Sequence, residues 1–198
     1  MVVRWKYMGM LFVVRTPEEC LLPIPRLTLG LTRFTRLRAF MVALALRKLG
    51  GSVLSNTITG GLLLQSSTAS VSGNTIDFVN AFVDYSTLMG NTFIPNISGS
   101  GRTGITYDET SLINFKGNRI DAGGGTGIYV QNDSWGTIEG NTIVNSGVAV
   151  EGDCEAQDVT ASKNIITDAS VGIDLGPGNT VLGNLFYATT TTVSTCGP

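Results

Sequence analysis

The sequence predicts an all-β chain whose residues from about Gly51 onward coil into a parallel β-helix of about seven coils, and three observations carry that prediction. A four-residue phrase built on asparagine returns seven times, apolar columns flank it at fixed offsets, and the composition is that of turns and extended segments. Twenty-five glycines stand among abundant Asn, Thr and Ser, and only 14% of residues are charged. Such usage favours turns and strands over long helices.

The phrases are Ser55-Asn56-Thr57-Ile58, Gly73-Asn74-Thr75-Ile76, Gly90-Asn91-Thr92-Phe93, Gly117-Asn118-Arg119-Ile120, Gly140-Asn141-Thr142-Ile143, Lys163-Asn164-Ile165-Ile166 and Gly183-Asn184-Leu185-Phe186. Successive asparagines are 18, 17, 27, 23, 23 and 20 residues apart, the variable period of a solenoid. Two positions after each Asn stands Ile or Phe, and three before stand Val53, Val71, Leu88, Phe115, Ile138, Ala161 and Val181. An odd separation puts two residues on opposite faces of a straight strand, so both columns turn inward only if the chain bends between them. The Gly-Asn pair supplies that corner, because Gly, and less readily Asn, tolerates positive φ. Asparagine amides stacked one coil apart could then bond one another inside the core.

A second phrase supplies another strand: Gly104-Ile105-Thr106-Tyr107, Gly127-Ile128-Tyr129-Val130, Gly147-Val148-Ala149-Val150 and Gly172-Ile173-Asp174-Leu175. Together the two phrases resemble the right-handed parallel β-helix repeat of the pectin-lyase-like superfamily, over residues 51 to about 190. The resemblance implies a fold more than a function, since that superfamily holds pectate lyases, polygalacturonases, alginate epimerases, phage tailspikes and nonenzymatic surface proteins. It also implies a groove along the outer face of the sheet that the Gly-Ile phrases form. Seven coils give a rod on the order of 35 Å, short for the superfamily's enzymes.

Residues 1–50 form a separate basic segment ahead of the 51–198 domain. They hold nine Lys/Arg against two acids, and the remainder holds four against thirteen. The acidic body argues against nucleic acid as a partner. Phe34, Leu37, Phe40, Met41 and Leu44 fall at helical spacing before Gly50 and Gly51, which predicts an amphipathic helix over 33–49. That helix would cap the open end of the solenoid; a membrane-surface helix is the rival reading. Met8 to Val14 is a short apolar run that only superficially matches a signal peptide, residues 1–30 could be unstructured, and no stretch reaches the ~18 apolar residues of a membrane span.

The chain has no histidine, which excludes Ser-His-Asp, Cys-His and imidazole-ligated metal chemistry. Cys20, Cys154 and Cys196 show no C-x-x-C spacing; a Cys154 to Cys196 bridge and three separate thiols are both open. Alternation on the Gly-Ile strands puts Thr106, Asp108, Tyr129, Gln131, Ala149, Glu151 and Asp174 outside. Counted from their glycines, Asp108 and Glu151 share a column two coils apart, and Asp133 and Asp153 share another one coil apart. Asp108, Glu151, Asp133 and Asp153 are therefore the candidate catalytic carboxylates, for a glycoside hydrolase or polysaccharide lyase. Asp133 and Asp153 could instead hold Ca2+, and Tyr129, Gln131 and Asp174 could contact a sugar. The Gly-His-Gly signature of the superfamily's polygalacturonases is missing, and the enzyme reading is the lesser one.

The leading expectation is a carbohydrate-associated β-helix, extracellular or at the cell surface, that contacts a polysaccharide through this acidic face. The competing class is a non-catalytic structural or interaction module, or a fragment of a longer β-helix. End-to-end or side-by-side self-association is open to either, because an uncapped coil presents an unpaired edge.

Overall fold

The computed structural model describes residues 3–7, 10–14, 32–35, 38–39, 44–47, 50–58, 61–82, 84–94, 103–108, 111–131 and 133–194. Side chains are described from residue 51 onward, apart from those of Asn80, Phe82, Thr103, Asp108 and Ser194. All regular structure among these residues is β-strand.

Thr32–Thr35, Arg38–Ala39 and Leu44–Arg47 make the first rung; Gly50–Leu54, Thr57–Ile58 and Leu62–Gln65 the second; Thr68–Ser72, Thr75–Ile76 and Val79–Phe82 the third. Thr87–Met89, Thr92–Phe93 and Thr103–Asp108 follow as the fourth, and Leu112–Lys116, Arg119–Asp121 and Thr126–Val130 as the fifth. In the sixth and seventh rungs the last two strands run together, as Trp135–Glu139 with Thr142–Gly152 and Val159–Ser162 with Ile165–Asp174. Thr180–Leu182, Leu185–Tyr187 and Thr191–Ser194 close the eighth. Each strand pairs in parallel with its counterparts above and below, and the strands before the corner alone form an eight-stranded sheet.

The chain is thus the predicted parallel solenoid, with eight rungs in place of seven. The extra rung comes from the stretch expected to be a capping helix, and the helix over 33–49 is corrected accordingly. In that rung Phe34 lies opposite Val53, Ala39 opposite Ile58, and Leu44 and Leu46 opposite Leu62 and Leu64. Alternation at 44 and 46 fits a strand, and the free edge of the second rung offers backbone partners that outweigh a local helical spacing. Further upstream, Val3–Tyr7 and Met10–Val14 pair as an antiparallel hairpin, Val3 opposite Val14 and Tyr7 opposite Met10. The apolar run at 8–14 therefore contributes a strand, and the expectation that 1–30 lacks structure is overturned for 3–7 and 10–14.

The two columns flanking the asparagines are core. Val71, Leu88, Phe115 and Ile138 on one side, and Ile76, Phe93, Ile120, Ile143 and Ile166 on the other, are fully buried. Phe93 and Phe115 meet with ring centroids 5.4 Å apart. At the corner, the residue before each asparagine takes the left-handed conformation, with φ between 54° and 66° at Ser55, Gly73, Gly90, Gly117, Gly140, Lys163 and Gly183. The positive φ belongs to this residue and not to the Asn.

The asparagine then enters the interior. Its backbone N–H donates to the Oδ1 of the asparagine one rung above at 2.8–3.0 Å, and its Nδ2 donates to the same atom at 2.9–3.2 Å, from Asn56 through Asn164. The other Nδ2 hydrogen reaches back to the rung below, from Asn91 to the Val71 carbonyl and from Asn118, Asn141 and Asn164 to those of Leu88, Phe115 and Ile138. Both amide hydrogens and both oxygen lone pairs are used.

Asn118→Ala orphans the backbone N–H and an amide hydrogen of Asn91, and urea denaturation is expected to show a loss of roughly 2–3 kcal/mol, the cost of stranding buried donors. A Cβ at Gly140 would meet nothing within 4 Å. Gly140→Ala is therefore expected to lose about 1–2 kcal/mol from φ alone.

Candidate functional site

The Gly-Ile strands carry one continuous outward column. Thr106 pairs in register with Tyr129, Tyr129 with Glu151, and Glu151 with Asp174. Parallel pairing spaces these positions ~4.8 Å apart. All four side chains are partly exposed. Glu151 Oε2 accepts a 2.8 Å hydrogen bond from the Thr126 hydroxyl, and Asp174 Oδ1 is buried without a hydrogen-bond partner. Tyr129 and Asp174, two of the expected sugar contacts, and Glu151, one of the candidate carboxylates, thus stand on successive rungs.

Two expected pairings are not formed. Asp108 lies opposite Phe82 and one position beyond the Tyr107–Val130 pair, so its column continues through Gln131 and not through Glu151; its side chain is outside the described residues. Asp153 donates its N–H to the Val130 carbonyl and is level with Gln131, since Val130 pairs with Gly152. Asp133 is exposed two residues further along. The Asp153 carboxylate is occupied with its own turn, Oδ1 accepting from the N–H groups of Glu155 and Ala156 at 3.2 and 2.9 Å.

The cause is a slip of two residues. Thr126 pairs with Val148 and Ile128 with Val150, which sets Gly127 level with Ala149 and not with Gly147. The strand Thr142–Gly152 rounds the bend without a loop. Ala149 accordingly takes the glycine column and is fully buried, although alternation had placed it outside. Counting from the asparagine would have found this, because Ala149 is eight residues after Asn141 as Gly172 is eight after Asn164.

A second polar ladder went unread. Ser67, Asp84, Ser111 and Ser134 each stand seven residues before a corner asparagine, and all four are fully buried. Asp84 N–H donates to Ser111 Oγ at 3.1 Å and Ser111 N–H to Ser134 Oγ at 3.2 Å. The Asp84 carboxyl accepts from the Ser86 N–H at 3.0 Å and the Ser86 hydroxyl at 2.9 Å. Burial raises its pKa above the ordinary 3.8, against the lowering effect of those hydrogen bonds. The Tyr107 hydroxyl is buried without a partner; burial first, and the Asp84 charge second, push its pKa well above normal.

Parallel strands in stacked rungs, a buried amide ladder and one acidic outer column define a parallel β-helix protein. The chain belongs to the family described as periplasmic copper-binding protein (NosD), whose family model matches residues 44–197. The pectin-lyase-like resemblance holds at the level of the β-helix architecture. No curated protein and no solved structure matches the chain. Among the described residues no helix is long and apolar enough to cross a membrane.

Copper in its two oxidation states favours imidazole, thiolate and thioether ligands, and the described residues do not fit it. The chain has no histidine. Cys154 is exposed in a turn, whereas Met89 is exposed on a strand before the corner, level with Ser72 and Lys116. No group of three or more His, Cys, Asp or Glu converges among the described residues. Cys20 and Cys196, and with them the expected Cys154–Cys196 pairing, lie outside the described residues.

A carboxyl whose folded pKa is raised favours its protonated form in the folded state, so its stabilising contribution is lost as pH rises through that pKa. Asp84→Asn removes the titration but keeps only one of the two acceptor oxygens, so the readout is the pH dependence of stability. Thermal melts are expected to show wild type losing stability relative to Asp84→Asn as pH rises from about 4 to about 7. A difference between the two that stays constant over that range would contradict the assignment.

Proposed function

We propose that the chain is a non-catalytic β-helix module of the cell envelope, working outside the cytoplasm, that holds a neutral glycan strand along the Thr106–Tyr129–Glu151–Asp174 column. The observation that carries this reading is the register of that column, which repeats a polar side chain once per rung. A polymer laid along the rod meets acceptors at a regular interval. Carboxylates accept from sugar hydroxyls, and the flat phenol of Tyr129 offers a surface to a pyranose ring. Glu151 is already oriented by Thr126.

Two acids on adjacent rungs repel an anionic polymer, so a neutral glycan suits the face better than a uronate unless Ca2+ intervenes. The non-catalytic reading rests on the acidic groups. Among the described residues, the carboxyl that burial holds toward its protonated form is Asp84, and it is wholly enclosed, where it cannot protonate a leaving group on a bound sugar. The envelope location follows the family's periplasmic description. Its copper does not carry over, for want of a converging donor set among the described residues.

Isothermal titration of the full chain with neutral oligosaccharides, and with uronate oligomers with and without Ca2+, tests the proposal. Binding of a neutral oligosaccharide is expected, weakened about tenfold, or ~1.4 kcal/mol, by Tyr129→Ala and by Glu151→Gln. Binding unchanged in both variants, or none to any glycan, would sink it. Uronate binding that requires Ca2+ would transfer the column to a cation-bridged ligand.

A further inference from the structure

We infer that the outer face of the eight-stranded sheet carries a second ligand site, which takes a neutral, extended polysaccharide across Tyr85, Leu112 and Trp135. The three residues stand six positions before the corner asparagines Asn91, Asn118 and Asn141, and so share one outward column. Leu112 pairs in register with Trp135, and the Leu112 N–H donates to the Asp84 carbonyl, beside Tyr85, at 2.8 Å. Two rungs separate Tyr85 from Trp135, a span of ~9.6 Å. Their ring centroids are nevertheless 6.4 Å apart at an interplanar angle of 70°, so the rings lean together over Leu112 and form a shelf with two walls. Tyr85 is 44% exposed, and Leu112 and Trp135 are partly exposed. Aromatic surface left open to water at a fixed mutual angle is a ready contact for another apolar face.

The neighbouring column gives that face its chemistry. Two residues further along each strand, ~7 Å away, come Thr87, Asn114 and Thr137, continued by Ser70 below and Thr160 above. Ser70 pairs with Thr87, Asn114 with Thr137 and Thr137 with Thr160, and the Asn114 amide donates to the Thr87 hydroxyl at 2.7 Å. Hydroxyl or amide groups thus recur once per rung, a spacing close to the length of one sugar in an extended chain. A pyranose presents the matching pair of surfaces: C–H faces that rest on aromatic rings, and rim hydroxyls that donate and accept. Charge selects a neutral chain. No charged residue stands in either column from Tyr85 to Trp135, the nearby Lys116 and Lys163 both pair with Glu139, and the exposed Asp158 follows one rung beyond Trp135. An anionic polymer finds no unpaired cation over these rungs and meets that carboxylate. The Thr106–Asp174 column belongs to the 14-stranded sheet, so the two sites stand or fall separately.

Tryptophan fluorescence of the full chain carrying Trp5→Phe, which leaves Trp135 as its one tryptophan, tests the inference. Titration with neutral β-1,4-linked hexasaccharides of glucose, mannose and N-acetylglucosamine is expected to shift Trp135 emission and to saturate with at least one of them. A galacturonate oligomer of the same length is expected to bind about tenfold more weakly, or not at all. Tyr85→Ala is expected to weaken the neutral sugar about tenfold. Thr137→Val, which keeps the side-chain shape and removes the hydroxyl, is expected to weaken it about fivefold, and Tyr129→Ala, on the other sheet, leaves it unchanged. Far-UV circular dichroism melts confirm that the variants fold. Emission unmoved by all three neutral sugars overturns the inference, as does affinity undiminished in Tyr85→Ala, or galacturonate binding as tight as that of the neutral sugar. A shift abolished by Tyr129→Ala would belong to the first column and overturn it too.

Discussion

A primary amide placed in an apolar core is destabilising unless its whole hydrogen-bonding capacity is used, and this solenoid meets that demand by stacking identical amides one rung apart. Each asparagine satisfies the one below it and is satisfied by the one above, with a further bond to a backbone carbonyl of the rung below. The arrangement works only in one register. Sliding a rung by a single residue would break the ladder and turn an apolar column toward solvent. Loops between rungs can therefore vary in length, as the spacings of 17 to 27 residues show, while the core remains aligned. The serine and aspartate ladder around Ser67, Asp84, Ser111 and Ser134 repeats the same device at a second bend.

That register also builds the outer face. Nothing in the primary structure marks Tyr129, Glu151 and Asp174 as neighbours, since they are separated by more than twenty residues at each step. They become a column because the asparagines fix where each rung begins. Glu151 is then held by Thr126, and Asp174 keeps a buried oxygen without a partner. Ion pairing adds little to the architecture. Glu139 bridges Lys163 at 2.8 Å and Lys116 at 3.5 Å, on a solvent-exposed side where such pairs contribute weakly.

The repeat was legible in the sequence because it combines a turn residue, an amide and an apolar pair at constant offsets, and so were the fold class and the inward columns. The capping helix was not, because Phe34, Leu37, Phe40 and Leu44 fit a helical period while Leu44 and Leu46 fit a strand, and only the edge of the neighbouring rung decides between them. The columns of acids were half legible. Tyr129, Glu151 and Asp174 were placed outside, but their alignment was counted from glycines, and the glycine of the sixth rung is two residues out of step with its neighbours. Asp84 was missed for a related reason. Its serine counterparts are common in loops, and the offset of seven from the asparagine shows itself only once the asparagine is taken as the origin.

The account turns on whether the corner amides are held by side chains in the interior as described. Amide hydrogen exchange, read residue by residue, tests this directly, because the backbone N–H groups of Asn74, Asn91, Asn118 and Asn141 donate to side-chain oxygens and not to a backbone ladder. These four amides are predicted to exchange as slowly as the buried strands, through global unfolding alone. Fast exchange at the four, beside protected strands, would show that the asparagines face solvent and would contradict the account.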